Sequence, residues 1–384
     1  MKLESFTMKK LLNFMAITAL CATSCTNARP DLDRIFEPLF PDGEPGAAVL
    51  VMTGDKVIYD RGFGIADTAT GAAIDGETSF NIASCSKQFT AVAVLQLAQE
   101  GLLSVEDRII DYFPEFLKGD ASDSIWNDIR IKHLMNHSSG IPDARGYLTR
   151  EQRVFGDEKT ALEYLTFLDH LNFEPGTQYE YINPTFVLLG RLVEKITGEE
   201  FTAYVQKHIL NPAGMTRTVY FDPEHQDLIP DMAHGYDYDA ESTSGREWYE
   251  YDYGEESFFA TRPDGGLYSS THEIVRWEKA LRAAEILSSE MLSEAWKPGT
   301  LISGSTFSDY QNRPGTWYGY GWFLEQEDGA QSPSCIYHTG DNGGFKALIA
   351  RYPKTDALLV ILANRSDWDR QATREEVEKL LNLK

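Results

Sequence analysis

Residues 79–101 read SFNIASCSKQFTAVAVLQLAQEG, and this stretch decides the fold that the sequence predicts. Its first five residues alternate between polar and apolar side chains, as a short strand does. A helix is predicted to begin at Ser84 and to end before Gly101, because glycine commonly follows the last turn of a helix. Residues 89–95 are apolar on nearly every side of that helix. The pattern is typical of a helix buried at the centre of a molecule.

The same stretch contains Ser84-Cys85-Ser86-Lys87, the only Ser-x-x-Lys in the chain. Chance alone gives about one such tetrad in a chain of this length. The tetrad by itself is therefore weak evidence for a function, and its position at the start of a buried helix is stronger evidence. Three residues apart on a helix, the Lys87 amine lies beside the Ser84 hydroxyl. Burial disfavours an ammonium ion, so Lys87 becomes available as a base, and the helix N-terminus suits a developing oxyanion. The alternative is that Ser84 only caps the helix and Lys87 lies on the surface.

Strand patterns lie near both ends of the chain, and helix patterns lie between them. The predicted strands cover residues 46–52, 56–64, 334–339, 345–352 and 357–363, and the predicted helices cover residues 31–40, 84–100, 184–196, 200–210, 271–284 and 371–383. This order predicts an α/β (α+β) fold. We expect an antiparallel sheet of at least five strands from both termini, flanked by terminal helices and holding an inserted, mainly helical lobe.

The pattern also gives domain boundaries. We expect a signal peptide at residues 1–25, a linker and helix at 26–45, and one domain at 46–384, with a sheet lobe at about 46–83 and 330–384 and a helical lobe at about 84–329. A cleft between two lobes is a natural place for a site. Residues 236–259, rich in Tyr, Asp and Glu, lack periodicity and predict a long excursion or β-flap. This segment is either a solvated loop or a wall of the substrate cleft.

The N-terminus has the layout of a secretory signal. A charged region at residues 8–10 precedes an apolar region at 11–22, which is too short to span a bilayer, and small residues then precede Cys25. The segment resembles a bacterial lipoprotein signal, which implies a lipid on Cys25 and possible anchoring to a membrane. Simple cleavage without lipid is the alternative. The sequence thus predicts export, to the periplasm or as a membrane-anchored lipoprotein of a bacterium.

Composition excludes some partners. The net charge of −24 would repel nucleic acid and anionic membrane surfaces.

Beyond the signal only Cys85 and Cys335 remain, and they are expected to be two buried thiols, with a bridge between them as the alternative. No Cys/His cluster has the spacing of zinc ligands. We therefore expect a monomer that acts on a small-molecule or peptide substrate, with no metal and no cofactor.

Residues 80–90 resemble the first motif of the serine penicillin-recognising superfamily, in its branch of class C β-lactamases, DD-peptidases and carboxylesterases. The chain is identified as a member of that superfamily on two further segments. Residues 134–142 (LMNHSSGIP) are similar to the family's His-[Ser/Thr]-Ser-Gly loop, and residues 264–270 (DGGLYSS) are similar to its Gly-Gly-Leu-Tyr-Ser segment. The resemblance runs from about residue 46 to residue 364 and implies the fold predicted above.

The resemblance also assigns a second motif. Residues 173–183 (FEPGTQYEYIN) are similar to the lead-in to the family's Tyr-x-Asn, which assigns Tyr181 and Asn183. Tyr181 would relay the Ser84 proton to the leaving group, and Asn183 would donate to a substrate carbonyl. A second Tyr-x-Asn at residues 310–312 lacks this lead-in and is rejected.

The third motif is His338-Thr339-Gly340, on a predicted edge strand where many lactamases have Lys-Thr-Gly. Gly340 would let a substrate backbone approach the strand closely. By resemblance, the backbone N–H of Asp341 would pair with that of Ser84 to hold an oxyanion. A neutral imidazole binds a β-lactam carboxylate less well than an ammonium does. The motif therefore favours peptidases and esterases over lactamases.

The sequence as a whole predicts a serine hydrolase that forms an acyl-enzyme on Ser84. The expected substrate is a D-amino-acid peptide, as for a DD-peptidase or D-aminopeptidase, or a small ester. One alternative is a class C-like β-lactamase. Another, of a different class, is a non-catalytic penicillin-binding sensor domain, which would be acylated without turning over.

Overall fold

A computed structural model describes residues 28–116, 124–143, 149, 158–222, 224–239, 247–252, 261–301, 315–326 and 329–384 of the protein. In this part of the chain, no helix combines the length and the apolar character needed to cross a membrane. The predicted signal with Cys25, and the rejected Tyr-x-Asn at 310–312, lie outside the described residues.

The helices and strands follow the predicted order. The strands are β1 (Ala47–Thr53), β2 (Lys56–Phe63), β3 (Ile65–Asp67), β4 (Ala72–Ala73), β5 (Phe80–Asn81), β6 (Val219–Tyr220), β7 (Tyr236–Tyr238), β8 (Trp248–Glu250), β9 (Leu267–Ser269), β10 (Thr300–Leu301), β11 (Thr316–Tyr318), β12 (Phe323–Glu325), β13 (Cys335–Asn342), β14 (Phe345–Tyr352) and β15 (Ala357–Ala363). The α-helices are α1 (Ala28–Phe36), α2 (Lys87–Gln99), α3 (Ile109–Tyr112), α4 (Ile131–Met135), α5 (Glu158–Leu165), α6 (Asn183–Thr197), α7 (Phe201–Val205), α8 (Arg262–Gly265), α9 (Thr271–Arg282), α10 (Ser289–Ala295) and α11 (Arg370–Leu381).

The main sheet has eight strands in the order β10-β11-β12-β13-β14-β15-β1-β2, and every neighbouring pair is antiparallel. Its central strands are apolar on both faces because each face carries a helical layer. In β1, Leu50 belongs to the core shared with α2 and α9, whereas Val49 belongs to the core shared with α1 and α11. This alternation sandwiches the sheet between the terminal helices and the rest of the molecule.

The predicted sheet from both termini is confirmed, and three strands join it from elsewhere. Strands β10 to β12 come from residues that the pattern placed in the helical lobe, so the sheet extends past the predicted boundary at residue 330. Each of these strands has only two or three residues. A period of two cannot be recognised over so short a run, which explains why the sequence did not predict them.

The central helix begins later than predicted. Residues Ala83–Ser86 form a 3₁₀ turn, and α2 follows from Lys87 to Gln99. Ten of the thirteen residues of α2 are buried, as the apolar run predicted. Gly101 has a φ of 73° and donates its N–H to the carbonyl oxygen of Ala98 at 3.0 Å, so the predicted stop is confirmed.

Residues 236–259 contain a β-flap, since β7 and β8 pair in antiparallel fashion. The flap rests on the turn that follows β13. Tyr251 donates its N–H to the carbonyl oxygen of Gly235 and accepts the N–H of Gly344, both at 2.7 Å. A Cβ on Gly343 would meet the carbonyl oxygen of Tyr251 at 2.1 Å, so this turn needs glycine at a φ of 52°.

Candidate active site

The turn that carries Ser84 is held in a conformation that non-glycine residues rarely adopt. Ala83 has a φ of 46°, and its N–H donates to the side-chain oxygen of Asn81 at 2.9 Å. Asn81 ends β5, whose neighbour in the small sheet is β9. The chain therefore bends sharply between β5 and α2, and Ser84 lies at the bend with its side chain partly exposed.

Lys87 lies beside Ser84, as the spacing predicted. Its Nζ is 3.1 Å from Ser84 Oγ and 2.7 Å from the carbonyl oxygen of Asp264, which accepts a hydrogen bond from it. Lys87 is fully buried. Burial lowers the pKa of Lys87 to about 8, and the nearby Asp264 carboxylate acts in the opposite direction. A sizeable fraction of the amine is therefore unprotonated near neutral pH.

Aromatic rings from the helical lobe cover the same amine. Lys87 Nζ lies 5.0 Å from the centre of the Tyr181 ring and 5.5 Å from that of Phe186. Tyr181 belongs to the segment just before α6, and Phe186 belongs to α6 itself. The structure thus brings the predicted serine, lysine and tyrosine to one place. Tyr181 is almost a hundred residues away from Ser84 in the sequence.

His137 fixes the segment on which Tyr181 lies. Its carbonyl oxygen accepts the N–H of Glu180 at 2.9 Å, and its ring Nδ1 accepts the N–H of Ile182 at 3.2 Å. Because Nδ1 is an acceptor, the ring proton is on Nε2. The His137 ring lies 4.1 Å from the Tyr181 ring, and burial keeps its pKa well below the ordinary value. His137 is therefore a neutral support for Tyr181.

Asn183 is the first residue of α6, two positions after Tyr181. It is partly exposed, and its buried side-chain oxygen has no hydrogen-bond partner among the described residues. Asn183 lies on the same helix as Phe186, whose ring covers the Lys87 amine.

The third motif lies on the last part of β13, which is an inner strand of the sheet and not the edge strand that was predicted. The ladder between β12 and β13 ends at the pair Phe323 and Tyr337, whereas β13 continues to Asn342. This extension packs against the turn of Ser84, because the carbonyl oxygen of His338 accepts a hydrogen bond from Cys85 Sγ at 3.4 Å. The three predicted motifs therefore meet at one place.

His338 is buried, and both of its ring nitrogens have hydrogen-bond partners in the protein. Its Nδ1 lies 2.7 Å from the carbonyl oxygen of Thr339, which can only accept, so Nδ1 carries a proton. Its Nε2 lies 2.8 Å from the Tyr318 hydroxyl and can accept from it. The ring lies 6.3 Å from that of Tyr181. The position where many lactamases have a lysine is thus filled by an imidazole whose two nitrogens contact the protein.

Gly340 brings β13 against the turn of Ser84. A Cβ at this position would lie 2.2 Å from the carbonyl oxygen of Ile82 and 3.1 Å from the Cβ of Ala83. We expected this glycine to leave room for a substrate backbone. In the structure the contact is with the protein's own backbone instead, because strand and turn pack directly on each other.

Replacing Gly340 with alanine is expected to destabilise the protein by about 2 kcal/mol or more, since its methyl group would overlap a backbone atom. Activity should fall as well, because β13 must move away from Ser84. Urea unfolding measures the loss, with Gly265→Ala as the matched control. A Cβ there makes only an ordinary contact of 3.8 Å with Ala83. Equal stability of the two variants would contradict this account of the packing.

Asp341 and Thr339 lie on the accessible part of β13. The exposed carboxylate of Asp341 pairs with Arg370, at 2.8 Å for the shortest contact, and Arg370 also donates to the carbonyl oxygen of Gly340 at 3.0 Å. Thr339 lines a cavity of about 610 Å³, together with Lys346 and other residues from β14 and the start of α11. Arg370 thus holds the end of β13 in place, and Thr339 is reachable from the cavity.

Within the described ranges, two groups of side chains have donor atoms close enough together to hold a metal ion, and neither group includes a predicted site residue. They are His234, Glu250 and Asp252 in one case and Glu325, Cys335 and Glu378 in the other. The two cysteines of the described chain, Cys85 and Cys335, are free and buried, so no bridge joins them. Burial raises the pKa of the Cys85 thiol to about 12, which makes it a poor nucleophile.

Three residues at this place were not assigned a function from the sequence. Tyr318 contacts His338 from β11, a strand too short to be predicted. His137 lies in the LMNHSSGIP segment that carries the resemblance, and its contacts hold the segment of Tyr181. Asp264 was noted only as the start of the DGG segment, because its burial and its contact with Lys87 appear only in the fold.

A short 3₁₀ turn with a serine beside a buried lysine, the end of a strand packed on it and a tyrosine from an inserted lobe define the class of serine β-lactamases and penicillin-binding proteins. The family model described as "Beta-lactamase" matches residues 32–382. The chain belongs to that family.

Individual relatives agree with this assignment. "Penicillin-binding protein 4*" of Bacillus subtilis (strain 168) is 27% identical over 354 residues, which cover 89% of this chain and 73% of that protein. "Protein flp" of Staphylococcus aureus (strain MW2) is 26% identical over 342 residues, which cover 88% of this chain and 63% of that protein. The chain thus spans less than two thirds of the second relative.

A solved structure shares the fold. The octameric penicillin-binding protein homologue from Pyrococcus abyssi matches with a TM-score of 0.72 and 25% identity, over 88% of this chain and 73% of that one. That homologue is described as octameric, so the expectation of a monomer for this chain stays a prediction.

Proposed function

We propose that the protein is a serine hydrolase that forms an acyl-enzyme on Ser84 and acts on a D-amino-acid peptide or a small ester. One observation carries the proposal. A fully buried lysine amine lies 3.1 Å from the hydroxyl of a partly exposed serine. Burial lowers the pKa of Lys87 to about 8, so the amine can take the serine proton at neutral pH.

In the acylation step, Ser84 Oγ attacks the substrate carbonyl carbon, and a carbon–oxygen bond forms. Lys87 Nζ takes the hydroxyl proton, because it lies within hydrogen-bond distance of Oγ. The bond to the leaving amine or alcohol then breaks, and that group receives the proton. Tyr181, whose ring lies against the Lys87 amine, is the group we assign to this delivery.

Two backbone N–H groups, of Ser84 and Asp341, are proposed to hold the oxyanion. The packing of Gly340 against Ile82 supports this pairing, because it brings β13 to the turn of Ser84. Losing one such donor typically costs about 10²-fold in rate. Asn183 is assigned to a substrate carbonyl, to which its side-chain N–H would donate.

Deacylation completes the cycle. Water attacks the ester carbonyl of the acyl-enzyme and loses a proton to the Lys87 and Tyr181 pair. The bond between the acyl carbon and Ser84 Oγ breaks, and Oγ recovers its proton. The products are a carboxylic acid and the free enzyme, so no oxidant, metal or cofactor enters the balance.

The surroundings of His338 favour peptides and esters over β-lactams. A β-lactam carries a carboxylate, which is best held by a permanent cation. His338 is buried with both ring nitrogens bound to protein groups, and the nearby Arg370 is engaged by Asp341 at 2.8 Å. Neither group offers a free positive charge at the end of β13.

A screen of three substrate classes tests this proposal: D-Ala-D-Ala peptides, p-nitrophenyl esters and nitrocefin. We expect turnover of a peptide or an ester to exceed that of nitrocefin by at least about tenfold in kcat/KM, which corresponds to about 1.4 kcal/mol. The Ser84→Ala variant is the control in each assay. Rapid nitrocefin turnover would contradict the proposed substrate class and identify a β-lactamase.

Penicillin acylation without turnover is the second candidate, favoured by the name of the relative "Penicillin-binding protein 4*". It differs from the first in one measurable respect. A fluorescent penicillin would form an adduct that is stable for hours, and neither peptide nor ester would be consumed. Fold alone does not choose between these functions.

We also propose that the protein is exported and that Cys25 carries the lipid. Support comes from the sequence of residues 8–25, which lie outside the described residues. Metabolic labelling with a fatty-acid analogue, compared between the full chain and Cys25→Ala, tests the assignment. Labelling that persists in the variant would contradict it.

A further inference from the structure

The side chain of Asp264 is a buried acid that the proposed mechanism does not use. Asp264 belongs to the short helix α8 and is 5% exposed. Its backbone oxygen accepts a hydrogen bond from Lys87 Nζ at 2.7 Å, which places the residue next to the proposed base. Its Oδ1 has no hydrogen-bond partner within the described residues.

A buried carboxylate without full hydrogen bonding is costly, so its charge needs a compensating partner. Lys87 is the cation held next to Asp264, through the hydrogen bond to its backbone oxygen, and its charge acts on the carboxylate through space to lower the pKa of Asp264. The opposing effect of burial is larger and raises that pKa to about 6. The Thr261 side chain donates to the carboxylate, and Glu158 adds a repulsive negative charge.

The other groups that face Lys87 cannot take this role. His137 is held neutral by burial, and the Cys85 thiol is protonated because burial raises its pKa to about 12. The ring of Tyr181 covers the amine at 5.0 Å. Asp264 is therefore the group that can carry a full negative charge beside the amine in the working pH range.

We propose that the Asp264 carboxylate is the counter-ion of Lys87 and sets the pH at which this lysine changes from ammonium to amine. Asp264 is then a positioning residue, since it acts on Ser84 only through Lys87. The inference rests on the proposed function, because it gives Lys87 the role of the base.

The sign of the effect follows from electrostatics. A negative charge near Lys87 stabilises the ammonium form and raises the pKa of the lysine. Asp264→Asn removes that charge and keeps the shape of the side chain and an acceptor for Thr261. The pKa of Lys87 should therefore fall by about 1 unit, and the base should become available at lower pH.

The test is the pH dependence of the rate at which a fluorophosphonate labels Ser84, measured from pH 5 to pH 10. The expected result is that Asp264→Asn moves the acid limb of the profile to lower pH by about 1 unit. Asp264→Glu, which restores the charge, should return it towards the wild-type position. Asp252→Asn is the matched control, since Asp252 is also a buried carboxylate but lies in the flap.

A midpoint that stays unchanged in Asp264→Asn, with only a lower plateau, would overturn the proposal and leave Asp264 a structural residue. A shift to higher pH would overturn it as well. In both cases labelling of the wild-type protein would still support the proposed function.

A second readout does not depend on activity. The folded-state pKa is about 6 for Asp264 and about 8 for Lys87. Near pH 7 both groups are therefore mostly charged in the folded protein, as they are in the unfolded chain. In Asp264→Asn, Lys87 releases its proton earlier in the folded state than in the unfolded state. The free energy of unfolding of the variant should therefore rise relative to wild type between about pH 6 and pH 8.

Unfolding measured at several pH values decides this point even if no fluorophosphonate reacts. Absence of wild-type labelling at every pH would refute the proposed function. A stability difference that stays constant between pH 7 and pH 8, above the pH at which Asp264 itself titrates, would refute the coupling of Asp264 to Lys87. The two failures are thus distinguishable.

Discussion

Replacing Ser84 with alanine is expected to remove turnover of every substrate by at least about 10⁴-fold, because no other group in the site can form the acyl bond. The variant should remain folded, since Ser84 is partly exposed and its hydroxyl contributes only the contact with Lys87 Nζ at 3.1 Å. Steady-state kinetics on the best substrate of the screen measure the loss, and thermal unfolding checks that the fold is kept.

Ser86→Ala is the control for a neighbouring serine. Its hydroxyl oxygen accepts the N–H of Leu267 at 3.2 Å and is buried. We expect a loss of stability of about 1 kcal/mol and retained turnover. Turnover that survives in Ser84→Ala and disappears in Ser86→Ala would move the nucleophile and contradict the proposed mechanism.

Replacing Lys87 with methionine is expected to lower the rate of acylation by about 10³-fold, within the usual range for the loss of a general base. Methionine has a similar length and cannot accept a proton. The variant should still fold, but its free energy of unfolding near pH 7 should fall by about 1 kcal/mol or more. The substitution leaves the buried Asp264 carboxylate without its cation and the Asp264 carbonyl oxygen without its donor, and relief of the burial cost of the ammonium ion offsets only part of this loss.

Much slower acylation in a variant that still folds is what separates a base from a structural lysine. Acylation rates come from single-turnover labelling, and stability comes from urea unfolding at the same pH. The pH dependence of the free energy of unfolding gives a second test of the same effect. Wild-type stability should rise as pH increases from about 8 towards the ordinary pKa of lysine, and Lys87→Met should lack this rise. Lower stability of the variant with unchanged acylation would contradict the assignment of Lys87.

Long apolar runs made the central fold predictable. Strands β1, β14 and β15 are seven or eight residues long, and α2 is apolar on nearly every side, so their patterns are unambiguous. The strands β10 to β12 were not predicted, because two or three residues cannot display a period. They join the sheet by pairing with neighbours, which is a tertiary effect.

The site was predictable where its residues are close in sequence or lie in a recognisable motif. The contact of Ser84 with Lys87 follows from helix spacing. The contact of Lys87 with Asp264 joins residues 177 positions apart and could be found only from the fold. The same holds for Gly340, whose packing against Ile82 depends on how β13 meets the turn.

The central claim is that Ser84 forms a covalent bond with the substrate through proton transfer to Lys87. Mass spectrometry after brief reaction with a fluorophosphonate tests it most directly, by locating the adduct on a proteolytic peptide of the wild-type protein. We predict a single adduct on the peptide that contains Ser84, formed faster above pH 8 than below pH 6. An adduct on any other residue, or none on an intact folded protein, would contradict the account.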